Sequence, residues 1–173
     1  MPDARHDGLK EAREQLILVL SFFSRVDSKA SVVLAINTGM LAVLASNAPP
    51  LRAMTDVSII AAALCILTIT ASFWFLYKVS FPVLHGGQQS LIYFREIANK
   101  TEARFIEEFR AQDEAARLRD LLGQVWRNSE ILKMKFDALR WAFILMAIAI
   151  IPWLISVTLF SSENPGAHSL LVR

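Results

Sequence analysis

Chemistry needs side chains that can move protons, attack a carbonyl, hold a metal or recognise charge, and in these 173 residues they are sparsely placed. The one cysteine, Cys65, sits inside an apolar run and can form neither an intrachain disulfide nor a CxxC zinc site. His6, His85 and His168 lie far apart in polar segments without ligand spacing. The six glycines form no phosphate loop or dinucleotide fingerprint. With no nucleophile beside an acid–base group, neither an enzyme nor a metal or cofactor site is expected. A net charge of +2, mixed in sign along the chain, gives no platform for nucleic acid.

Two groups of polar residues remain. Tyr93, Arg95, Gln124, Arg127, Asn128 and Lys135, with Gln88 and Gln89, supply what a nucleotide needs: cations for phosphate, amides for base edges and an aromatic ring for stacking. Any solvated helical hairpin carries such residues, so spacing alone leaves both readings open. The second group is Asp27, Lys29, Asn37 and Gly39, at the mouth of an apolar run or within it. Charges there are costly unless paired or snorkelled, so Asp27 and Lys29 are either structural anchors or part of a polar pathway. Asn37 lies beside a small-residue ridge, Ser31, Ala35 and Gly39, that lets helices approach closely. Its amide then bonds within one subunit or lines an oligomeric pore.

The elements that position these residues follow from hydropathy. The chain is 54% hydrophobic with a mean hydropathy of +0.42, and the excess is concentrated in blocks. Val57 to Tyr77 and Trp141 to Ser162 contain no charge, and only Arg52 interrupts Ser31 to Thr55. Such lengths cross a hydrocarbon core of about 30 Å at about 1.5 Å per residue. The fold class is therefore all-α integral membrane, with spans at 30–47, 57–79 and 139–161. The first is short, since Ala30 to Ser46 covers only about 25 Å. An amphipathic helix at 1–29, with Leu16, Leu20, Phe23 and Val26 on one stripe, leads into it from near Gly8, and its acids beside its bases argue against an export signal. Trp74, Tyr77 and Lys78 form an interfacial belt at the end of the second span. Pro152 falls within the third and would kink it unless its surroundings satisfy the freed carbonyl.

Of the eighteen Lys and Arg residues, all but Arg52 and Arg173 fall in 1–29 or in 78–140. That bias places the N-terminus and the segment 80–138 in the cytoplasm, with the 48–56 loop and the 162–173 tail outside. Within 80–138 the pattern turns periodic, so the segment reads as a helical hairpin. Its first helix follows His85-Gly86-Gly87 and presents Leu91, Phe94, Ile97, Phe105 and Phe109 on one face; its charges, such as Glu96 and Lys100, read as solvated helix-surface pairs. The second carries a heptad seam at Leu118, Leu122, Val125, Ser129, Leu132, Phe136 and Leu139 that runs on through Phe143, Met146 and Ile150. A continuous helix from about Asp113 to Phe160 would be about 72 Å long and would tie the hairpin to the last span, although Gly123 weakens it by about 1 kcal/mol. The seam either closes the hairpin or joins copies of the chain, and a homo-oligomer is the expected assembly.

Three segments in order carry a resemblance: VDSKASVVLAINTGMLAVL, SLIYFREIA and LGQVWRNSEILKMKFDALRWAF. They resemble the effector family of the pyrimidine cyclase antiphage system, the Pycsar transmembrane effectors, over about residues 10–162. An acidic-x-Lys-Ala entry falls on Asp27, Lys29 and Ala30. A Tyr/Phe-Phe-x-x-Ile segment falls on Tyr93, Phe94 and Ile97, and a Gln-x-x-x-Asn-Ser helix with a later lysine on Gln124, Asn128, Ser129 and Lys133 or Lys135. The resemblance implies a neighbouring cyclase that makes cUMP or cCMP on phage infection. It implies an effector that responds by impairing the bacterial inner membrane, giving cell death and abortive infection. No β-roll nucleotide-binding domain is visible, so a directly bound signal must sit on the helical hairpin or at a subunit interface. The alternative is a constitutive membrane scaffold or accessory subunit, whose hairpin recruits a partner without binding nucleotide.

Overall fold

The computed structural model describes residues 3–81, 87 and 89–164, with side chains from Asp7 onward. His85, Gly86, Gln88, the tail beyond Asn164 with His168, and the side chain of His6 lie outside that description. The regular structure among the described residues is helical: α1 (Asp3–Asn47), a 3-10 turn at Leu51–Ala53, α2 (Asp56–Ser80), α3 (Phe94–Ala98), α4 (Glu102–Ala111) and α5 (Glu114–Glu163). α1, α2 and α5 are long and apolar enough to cross a membrane. α5 stays one helix with Pro152 inside it. By its contacts the chain divides into two compact units, Met1–Val26 with Pro82–Lys135 and Asp27–Phe81 with Phe136–Arg173.

In the first unit, local hydrogen bonds decide where helices begin and end. The expected single helix after Gly87 is two short ones. Ser90 Oγ accepts from the Ile92 and Tyr93 N–H groups, at 3.1 and 3.0 Å, just ahead of α3. The Asn99 N–H closes α3 on the Arg95 carbonyl, and Thr101 Oγ1 accepts from the Arg104 N–H to open α4. Asp113 Oδ1 does the same for α5, accepting from Ala116 N–H at 2.7 Å. The break between α3 and α4 removes the single apolar face expected there: Leu91 is buried, whereas Phe94 and Phe109 stand exposed. On α1 the inward positions are Ala12, Leu16, Val19 and Val26, while Leu20 faces outward.

The second unit packs small and polar side chains at close quarters. α1 contributes Ala30, Val33, Asn37, Met40 and Leu44, again at alternating spacings of three and four. α2 contributes Ser58, Ala61, Cys65, Ile69, Ser72, Leu76 and Val79. From α5 come Ala138, Ala142, Ala149, Ser156 and Phe160, flanked by Leu139 and Met146. This stripe divides the heptad seam read from the sequence, whose Leu139 and Met146 are buried while Phe136, Phe143 and Ile150 are exposed. The reason is that lipid is as apolar as leucine, so large side chains gain nothing by facing another helix, and contacts go to residues that let backbones approach. The Ser31, Ala35 and Gly39 ridge likewise faces outward, and a Cβ built on Gly39 would meet nothing within 4 Å. At the end of α2, Trp74 stacks on Tyr77 with centroids 5.8 Å apart, and Lys78 Nζ lies 5.5 Å from the Trp74 ring.

That division of the seam has a direct test. Ala142→Leu should destabilise the folded chain in detergent by about 1–3 kcal/mol through overpacking, whereas Phe143→Leu should change it by under about 1 kcal/mol. Reversible unfolding in mixed micelles reads both.

Candidate functional site

In the first unit the polar residues converge on Ser90. Its hydroxyl, already accepting from two backbone N–H groups, also accepts from Gln124 Nε2 at 3.0 Å. Leu91 N–H donates to Asp120 Oδ2 at 2.9 Å, and Asn128 Nδ2 donates to the Gln124 carbonyl at 2.8 Å. The segment ahead of α3 is thereby tied to α5, and Gln124, which is buried, serves that tie. Arg127 is held differently. A Cβ on Gly87 would fall 2.1 Å from Arg127 Nη2, and one on Gly123 would fall 2.9 Å from it. Two glycines thus leave the guanidinium its space, and Arg127 Nε is buried without a hydrogen-bond partner. Lys135 Nζ lies 5.6 Å over the Phe23 ring, and Tyr93 meets Phe94 edge-on at 5.0 Å. Arg95 is exposed on α3.

A polar cleft of about 470 Å³ lies on the same unit, lined by Gln89, Asn99, Lys100, Arg104, Glu108 and Gln112 among others. Its volume falls within the roughly 300–1,000 Å³ of small-molecule sites. Glu108 stands at its centre, paired with Lys100 through Oε2 and with Arg104 Nε through Oε1 at 2.8 Å. Those two bonds hold the Glu108 carboxyl below the usual carboxylate range, Lys100 contributing most. The same carboxylate raises Arg104 above its ordinary value. Sequence reading missed this cleft because it pairs Lys100 with Glu96 across one helical turn. With α3 ending at Ala98, Lys100 meets Glu108 instead, and Glu96 Oε2 accepts from the Gln89 N–H at 3.0 Å, where Gln89 has a left-handed φ of 61°. The signal available in the sequence was Asn99 and Thr101, both of them helix-end residues.

The second group of candidates is divided by the structure of the second unit. Asn37 is fully buried; its Nδ2 donates to Ser72 Oγ at 2.8 Å, and Ser72 Oγ donates to the Ala142 carbonyl at 2.8 Å. One polar chain thus joins α1, α2 and α5, and Asn37 Oδ1 is left buried without a partner. Trp153 Nε1 donates to the Met40 carbonyl at 2.9 Å, and the Thr55 N–H and hydroxyl donate to Glu163 Oε1 at 3.1 and 2.8 Å. Gly39, Asp27 and Lys29 are exposed or partly so on α1, and the Asp27 carbonyl accepts from Ser31 Oγ at 2.9 Å. Among the described residues no group of three or more His, Cys, Asp or Glu is placed to hold a metal ion.

Residues 11–162 of the chain match the family described as the Pycsar effector protein domain, PycTM. No curated protein and no solved structure matches the chain.

Two outcomes are expected from this geometry. Ser72→Ala leaves the buried Asn37 amide with no partner and should cost about 1–3 kcal/mol, more than Asn37→Leu, which removes the amide altogether. Unfolding of both variants in micelles settles the order. For Glu108 the folded carboxyl is depressed, so its contribution to stability is full above the ordinary carboxylate range and is lost as pH falls through the folded value. The stability gap between the unmodified chain and Glu108→Gln should therefore be flat around neutrality and close in acid, as melting followed by circular dichroism from pH 7 to 3 would read.

Proposed function

The chain belongs to the Pycsar effector family, a transmembrane effector family of antiphage defence, and from that premise we propose that it answers cUMP or cCMP from a neighbouring cyclase by impairing the bacterial inner membrane. The infected cell then dies before phage release, which is abortive infection. The observation that carries this reading is the match over residues 11–162, which takes in all three membrane-capable helices and the polar segment between α2 and α5. In this reading the N-terminus and central segment face the cytoplasm, where the nucleotide is made, and the chain works as a homo-oligomer. The distribution of Lys and Arg supports the orientation.

The nucleotide seats on the first unit. Its phosphodiester takes the place of Glu108 on Lys100 and Arg104, since a phosphate oxygen accepts the same charge-assisted bonds as a carboxylate. Asn99, Gln89 and Gln112 offer amides to the pyrimidine edge. Tyr93 and Arg95 lie in the adjoining segment and remain candidates for contact. Of the candidates on α5, Arg127 has an unspent donor to offer, whereas Gln124 and Asn128 would have to give up internal bonds. Lys135 would have to leave the Phe23 ring. Ligand binding shifts the chain toward its membrane-active form only by its difference in affinity between the two forms.

The reading is tested with the full chain in dye-filled liposomes. Leakage should rise with cUMP or with cCMP and not with the linear monophosphates. Lys100→Ala/Arg104→Ala should raise the nucleotide concentration required by at least about tenfold, the loss of one or two charge-assisted bonds. Leakage indifferent to both cyclic nucleotides in a folded preparation would overturn the reading and leave a constitutive scaffold in its place.

A further inference from the structure

The second unit contains a groove of about 560 Å³ between α1 and α5 whose lining is almost wholly apolar and includes two cations. α1 supplies Lys29, Val33 and Ile36 to it, and α5 supplies Arg140, Phe143 and Met146. No carboxylate lines it. The bonds from Asn37 through Ser72 to Ala142, and from Trp153 to Met40, fix α1 and α5 as running in the same sense. On α1 the cation Lys29 therefore precedes the apolar lining residues, and on α5 Arg140 follows Phe136 and Leu139, with Phe143 and Met146 further along. Beyond Arg140 the helix carries no charge until Glu163, and beyond Lys29 α1 carries none to its end.

From this arrangement we infer that the groove is a binding site for an anionic phospholipid. Lys29 and Arg140 bracket the phosphate, and the apolar channel between α1 and α5 receives an acyl chain. The charge of the lining decides the class of occupant. Two cations without a balancing acid attract an anion, and basic pockets between membrane helices are where acidic headgroups bind. A soluble nucleotide is excluded by chemistry, because the lining has no amide or hydroxyl to meet a base or a sugar. A zwitterionic lipid fills the channel equally well, yet its ammonium group is repelled by the same two cations. Arginine is suited to the phosphate by its fork of donors, and lysine by its reach along an apolar wall to the headgroup level. The site is distinct from the polar cleft on the first unit and does not depend on any response to nucleotide.

The test uses the full chain, purified in detergent, with native mass spectrometry counting retained lipid after exposure to phosphatidylglycerol or phosphatidylcholine of identical acyl chains. Two surface cations are worth about thirty-fold in retention, about 2 kcal/mol at 1.4 kcal/mol per tenfold, so phosphatidylglycerol should be retained about thirty-fold better. Lys29→Gln/Arg140→Gln should abolish that preference, while Lys29→Arg/Arg140→Lys should keep it. Should the double glutamine variant fail to fold, Ile36→Trp fills the channel from its exposed side with both cations intact, and bound lipid should be lost. Equal retention of the two lipids overturns the inference. So does a preference that survives the glutamine variant, displacement of the lipid by millimolar inorganic phosphate, or a dimer of the chain that occupies the groove and excludes lipid.

Discussion

Helices inside a bilayer have no hydrophobic reason to prefer one another over lipid, and the second unit is organised around that constraint. Small side chains, Ala138, Ala142 and Ala149 on α5, Ala30 on α1 and Ala61 and Cys65 on α2, are buried beside a cluster of larger ones, Met40, Leu44, Ile69 and Phe160. Close approach then lets a handful of hydrogen bonds form across helices, the chain from Asn37 through Ser72 to Ala142 above all. Many other large apolar residues lie on the outside, where Leu67, Ile151 and Trp141 stand exposed. What looks from the sequence like a surplus of core-forming residues is a coat for lipid.

The first unit obeys the opposite rule, because its backbone must be satisfied by its own polar groups or by water. Ser90, Thr101 and Asp113 each terminate or start a helix, and Ser90 also receives Gln124 from α5. The short α3 and α4 follow from those bonds. Their break brings Lys100 and Arg104 onto one carboxylate, so both cations are paired within the chain. Release of Glu108 from these two cations would free α4 from its contact with Lys100.

Sequence reading located the three membrane-capable helices closely, since charge-free length is a direct physical signal: Val57–Val79 was expected and Asp56–Ser80 is found. It also singled out Asn37 and Gln124 as polar residues worth explaining, and both are buried and bonded. It was half right about which faces pack: on α1 Leu16 and Val26 are buried, while Leu20 is exposed. The α5 heptad divides in the same way: Leu139 and Met146 are buried, while Phe136, Phe143 and Ile150 are exposed. Hydrophobic periodicity marks the inside of a water-soluble bundle, where exposure of leucine is penalised; in lipid that penalty vanishes, and size becomes the criterion. The cleft at Lys100 was hidden for another reason: Lys100 stands in the turn between α3 and α4 and pairs with Glu108 on α4, and that turn depends on hydrogen bonds at Asn99 and Thr101, not on any hydrophobic pattern.

The alanine-lined face of α5 has a consequence for register. Residues 138, 142, 149 and 156 present a small surface, but buried Met146 and Phe160 interrupt it, so sliding α5 along its neighbours by one turn would set Met146 where an alanine packs. Shape therefore already disfavours a slide of one turn. Directional contacts select the same setting: the Ala142 carbonyl under Ser72, the Trp153 indole on Met40 and Glu163 on Thr55. Bulk and polar contacts thus act as two sets of detents on one rail.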